Sequence, residues 1–133
     1  MPTRIDTRNL SGTELDLSLL EEAARWTLQA EGAALETLSL ALVDDDRITS
    51  LNARLLGRDN PTDVIAFEAD EGEGEVIVSV DTAQRQAVEE GHSLMTELRF
   101  LIAHGVLHVL GHDDSDEALR DRMLRRQDEI LQQ

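Results

Sequence analysis

Between Phe100 and Leu110 every residue is apolar or glycine except His104 and His108. A helix of this composition has no polar face to turn toward water, so it must be covered on all sides. The chain is therefore expected to build a central buried helix over about 94–110, begun at Ser93 and ended by Gly111. Everything else must supply the layers that enclose it.

The two exceptions share one side of that helix. Positions i and i+4 lie about 40° apart at 3.6 residues per turn, so His104 and His108 point the same way, one turn apart. A single histidine on a buried helix is usually a hydrogen-bonded core residue. Two on one stripe each cost free energy unless satisfied, and a metal ion satisfies both. Further along the same helix, position 112 would lie roughly 12 Å up the axis from His104. A left-handed Gly111 turns the chain back instead, and His112, Asp113 and Asp114 follow directly. Imidazole with one carboxylate suits a zinc ion that keeps an open position. A zinc peptidase would carry H-E-x-x-H with the glutamate as base; position 105 is glycine, which disfavours that chemistry.

The covering layers are legible from periodicity. Residues 3–9 and 36–43 alternate, and Leu38, Leu40 and Leu42 share one face. Val64–Phe67 and the β-branched run Val76–Val80 read as two further strands around an acidic turn at 70–74. Helical spacing marks about 14–31, capped by Ser11 or Thr13. It also marks a short helix after the Asp44-Asp45-Asp46 run, a helix from Asp81 to about Glu90, and a last one over 115–132. The expected fold is a single α+β domain over 1–133, with a mixed four-stranded sheet packed with helices.

Twelve arginines, no lysine and 28 acidic residues give a net charge of −16. Such a surface argues against a generic basic nucleic-acid binder, and three aromatic residues do not make a stacking platform for single strands. No cysteine is present, so disulfides, thiolate metal sites and thiol nucleophiles are excluded. Any phosphate contact from a basic side chain must come from arginine. Arg58 and Arg54, beside the turn Gly57–Pro61, are the candidates. Arg120, Arg122, Arg125 and Arg126 read as the solvated side of the last helix. No secretory h-region or membrane span is visible, so a cytoplasmic setting is expected, with no membrane partner.

The segments NPTDVIAF (60–67), GEVIVSV (74–80), DTAQRQAVEEGHSL (81–94) and HGVLHVLGHDD (104–114) resemble the bacterial YbeY proteins. These are single-domain metal-dependent endoribonucleases linked to ribosomal RNA maturation. The similarity runs over about residues 36–131. It implies one zinc ion on His104 and His108, an rRNA precursor as substrate, and contacts with the small ribosomal subunit and an assembly GTPase; DNA is not expected. The family's third ligand is a histidine ten positions after the first, where this chain has Asp114. His112 stands at the family's Tyr-or-His position, as an alternative ligand or a proton carrier. The family arginine of R-G-K-D-x-P-T-D is replaced by Leu56, and Arg58 stands at the lysine position. The site thus implied is His104, His108 and Asp114 on the metal, with His104, Arg58 and His112 in catalysis. Two other readings stay open: a non-catalytic ribosome-assembly factor with a structural zinc, and a zinc peptidase.

Overall fold

The structure is a computed structural model that describes residues 2–58, 60–112 and 117–132. The elements are β1 (Arg4–Asn9), α1 (Leu17–Ala30), β2 (Thr37–Val43), α2 (Asp45–Leu56), β3 (Val64–Asp70), β4 (Glu73–Ser79), α3 (Val80–Glu90), α4 (Leu94–Val109) and α5 (Glu117–Leu131). Four strands form one sheet in the order β1-β2-β4-β3. The first three are parallel and β3 runs antiparallel to β4, so the sheet is mixed, as the closeness of β3 and β4 in sequence implies.

Leu38, Leu40 and Leu42 of β2 and Val76 and Val78 of β4 face one way. They pack against Leu20, Ala23, Ala24 and Leu28 of α1 and Leu98, Ile102 and Val106 of α4. The opposite face is covered by α2, whose Ile48 meets Val43, Ile65 and Ile77. Helix α4 is the hub, touching α1, α3, α5, β3 and β4. Residues 101–103 and 105–107 of the apolar run are buried because the helix has neighbours on nearly every side.

Gly105 explains how α4 comes so close to the sheet. A Cβ built there would lie 2.6 Å from Val76 Cγ1 and 3.3 Å from Val64 Cγ2. On β4, a Cβ at Gly74 would meet Val109 Cγ1 at 2.8 Å. Two glycines, one on each element, let the helix settle against the strands.

Three boundaries differ from the sequence expectation. Asp16 caps α1, its side chain accepting from Leu19 N, because Ser11 and Thr13 are bound up with Asn9 in the preceding loop. The acidic turn shrinks to Glu71-Gly72, with Gly72 at φ +76°, since strand pairing extends to Asp70 and Glu73. Ser79 rather than Asp81 caps α3.

Asp45 ties α2 to the β4–α3 junction. Its carboxylate accepts from Ser79 Oγ at 2.6 Å, Thr82 Oγ1 at 2.7 Å and Arg85 Nη2 at 2.9 Å. Burial alone would raise this carboxyl, but the three donors outweigh it and hold it below its ordinary value. A depressed folded pKa gives stability that is complete above the unfolded value and lost as pH falls through the folded one. Thermal melts from pH 7 to pH 2 are expected to show Asp45→Asn a few degrees less stable at neutral pH. The gap should close below roughly pH 4. A gap that stays constant with pH would remove Asp45 from the acid response.

Candidate metal centre

The imidazoles of His104 and His108 meet on one side of α4, their Nε2 atoms 3.2 Å apart and their rings edge to face. His104 Nδ1 lies 2.8 Å from Gln127 Oε1, while Gln127 Nε2 donates to the Phe100 carbonyl at 3.0 Å. The carbonyl only accepts, so the amide orientation follows from it, and His104 Nδ1 must be the donor to Oε1. His104 Nε2 is then the lone-pair nitrogen, facing His108. The two ring nitrogens stand close enough for one metal ion to be shared between them.

Zinc fits this geometry. Tetrahedral ligands at Zn–N distances of about 2.0–2.1 Å stand about 3.3 Å apart, close to the separation observed. A ligating histidine normally donates its other ring N–H to a fixed acceptor, and Gln127, 4% exposed, would be that acceptor for His104. Among the described residues no group of three or more His, Cys, Asp or Glu converges on one metal position. Asp113 and Asp114, the latter expected as third ligand, lie outside the described residues, as does Asp59.

The helix end behaves as its glycine implies. Gly111 takes φ +99°, its N–H reaches the His108 carbonyl at 3.0 Å, and His112 N reaches the Leu107 carbonyl at 3.0 Å. The chain then turns away from the α4 axis. His112 does not extend the histidine stripe: its Nε2 is bonded to Glu31 Oε1 at the C-terminal end of α1. Glu31 Oε2 accepts from Arg126 Nε at 2.8 Å. Burial works to raise the Glu31 carboxyl, and the bonds from Arg126 and His112 more than reverse this, leaving it below the usual carboxylate value. Arg126 is thus a tertiary tether rather than part of a solvated face.

Arg58 and both histidines line one cavity of about 580 Å³, together with Leu55, Leu56, Thr62 and Phe67. Arg54 lines a different depression, with Leu10, Ala41 and Ile77. Of the two candidate arginines, only Arg58 shares the histidines' cavity. The loop that carries it is held by Asn52, whose carbonyl accepts from Arg58 N at 3.3 Å and whose Nδ2 donates to the Asn60 carbonyl at 2.9 Å. Gly57, at φ +69°, ends α2 and starts this loop. Asp63 fixes the loop's exit, accepting from Val64 N at 2.8 Å. On its other side His104 borders a second cavity lined by Asp63, Glu89, Glu90, Glu97 and Asp128. The Arg58 side is the less acidic approach to the histidines.

Sequence reading passed over Gln127 and Asn52. Both carried a signal: a polar residue on the apolar stripe of its helix, Gln127 four after Met123 and Asn52 four after Ile48. Both are buried.

The fold and site define a class: an α+β domain whose buried central helix offers two imidazoles to a cavity edged by an arginine. The family model described as endoribonuclease YbeY matches residues 6–133, and the chain belongs to that family. It is 44% identical over 125 residues to the endoribonuclease YbeY of Pelotomaculum thermopropionicum, covering 85% of this chain and 82% of that protein. With its counterpart from Halalkalibacterium halodurans it shares 42% over 142 residues, covering 95% and 88%. The solution structure of TM1509 from Thermotoga maritima superposes with a TM-score of 0.62 at 25% identity, covering 96% of this chain and 90% of that one. Among the described residues no helix is long and apolar enough to cross a membrane.

Proposed function

We propose that this chain is a zinc-dependent endoribonuclease that cuts single-stranded segments of ribosomal RNA precursors. The observation that carries the reading is the His104–His108 pair, at zinc-ligand spacing on one side of α4, with His104 bonded to Gln127 and both rings opening onto the cavity that Arg58 lines. The relatives' shared name supports the reaction class. His104 and His108 hold the ion, with Asp114 as the third ligand. When bound, zinc supplies Lewis acidity toward a phosphoryl oxygen and toward water.

The chain's own groups do the rest. Gln127 keeps His104 in the tautomer whose Nε2 faces the site. Arg58 binds the non-bridging phosphate oxygens, and its planar fork matches them as charge builds in the transition state. Asn52 aims that arginine by fixing its loop. The acidic cavity beyond His104 repels a strand that approaches from the wrong side. With −16 overall, bare RNA binds weakly and with steep salt dependence. Substrate is accordingly presented by the small ribosomal subunit or an assembly GTPase in a cytoplasmic setting.

Leu56 favours a second reading. It stands where the family motif has arginine, and it lines the cavity 57% exposed. An assembly factor that keeps the zinc and has lost cleavage would look the same. Incubating the protein with an rRNA precursor fragment separates the two. Cleavage that stops on chelation and returns with zinc is the expected result. Cleavage undiminished in excess chelator would overturn the zinc-dependent mechanism, and zinc binding without cleavage would select the assembly factor.

A further inference from the structure

We infer that Glu31, at the end of a different helix from the histidines, is a positioning residue for the metal centre. This rests on the reading of His104 and His108 as zinc ligands. Glu31 follows the last turn of α1, and its side chain is 16% exposed. One carboxylate oxygen takes His112 Nε2 and the other takes Arg126 Nε at 2.8 Å, while Arg126 Nη2 also reaches the Ala30 carbonyl at 2.7 Å. His112 and Arg126 are thereby held by a single carboxylate.

His112 closes the reversal at Gly111, at the end of the helix that carries both histidines. Arg126 is the neighbour of Gln127, which holds the His104 ring and the Phe100 carbonyl. Residues 126 and 127 are about 100° apart around α5, so one bonds to α1 while the other bonds to α4. Fixing Arg126 fixes the rotation of α5 about its axis, and with it the aim of Gln127. Docking of α5 does not need Glu31, because Met123 and Ile130 are already buried with Leu107 against Trp26 and Ala30. Glu31 adds orientation to a contact that apolar burial makes.

Zinc affinity, measured by chelator competition, and the absorption spectrum of the cobalt-substituted protein test this. In Glu31→Ala zinc binding is expected to weaken at least about tenfold, the range for residues that orient metal ligands, and the cobalt spectrum should change. Adding His112→Ala to Glu31→Ala should cost little more, since that arm is already lost, whereas Arg126→Met should cost more because Arg126 keeps its bond to the Ala30 carbonyl. Glu31→Gln, which keeps an acceptor for one arm, should fall in between. Where Trp26 fluorescence shows that Glu31→Ala has undocked α5, Glu31→Gln decides: intermediate affinity supports the inference and wild-type affinity overturns it. Wild-type affinity in a docked Glu31→Ala overturns it as well, with the zinc site left standing. A wild-type protein that binds no zinc overturns both this inference and the proposed function.

Discussion

Replacing both His104 and His108 by alanine is expected to abolish zinc binding and to lower RNA cleavage by at least about a thousandfold. The size follows from what a metal ion contributes at a phosphoryl centre, several kcal/mol of charge stabilisation, with each 1.36 kcal/mol worth tenfold in rate. The two positions are not equivalent structurally. Losing the His104 ring leaves Gln127 Oε1 buried without its donor, a penalty of about 1–3 kcal/mol. His108→Ala spares the Gln127 bond, so this single variant is the cleaner test of chemistry and the double variant the more complete one. Metal content by elemental analysis and cleavage of a precursor fragment are the readouts, with circular dichroism to verify folding. A folded double variant that still carries one zinc per chain, or cuts at the wild-type rate, would refute the assignment.

The helix and its histidine pair were legible because they are local. A run apolar on all sides has to be central, and two imidazoles at i and i+4 have to share a side, whatever the rest of the chain does. The strand Val76–Val80 was legible for a similar reason, since β-branched residues between turns leave few alternatives; the structure ends it at Ser79 because Ser79 caps α3. What did not show in the sequence is what orients those residues. Glu31 and His112 are 81 positions apart, and Glu31 and Arg126 are 95 apart. No period or spacing links them, and Arg126 looks like three neighbouring arginines that lie on the same helix. The start of α1 was misplaced by a competition that local pattern does not resolve. Ser11, Thr13 and Asp16 are all good caps; the Ser11 hydroxyl is taken by Asn9, and the Thr13 carbonyl is held by Asn9 in the preceding loop.

The glycine between the two histidines carries the second large effect. Gly105→Glu would complete H-E-x-x-H in letters, and it is expected to yield an unstable protein with no peptidase activity. Position 105 faces the sheet: its Cβ would sit 2.6 Å from Val76 Cγ1, and Val76 is fully buried. A glutamate there points into β4, where packed side chains block it from serving as base. It also places a carboxylate in an apolar contact without a partner, which costs several kcal/mol or forces the helix off the sheet. Gly105→Ala grades the steric part alone. Overpacking of about 1–3 kcal/mol is offset by at most about 1 kcal/mol of helix propensity, so alanine should lower stability modestly. Urea unfolding curves and casein hydrolysis measure the two expectations. A Gly105→Glu protein as stable as wild type would show that α4 does not depend on this close approach. Casein cleavage by it would show that position 105 can reach the metal after all.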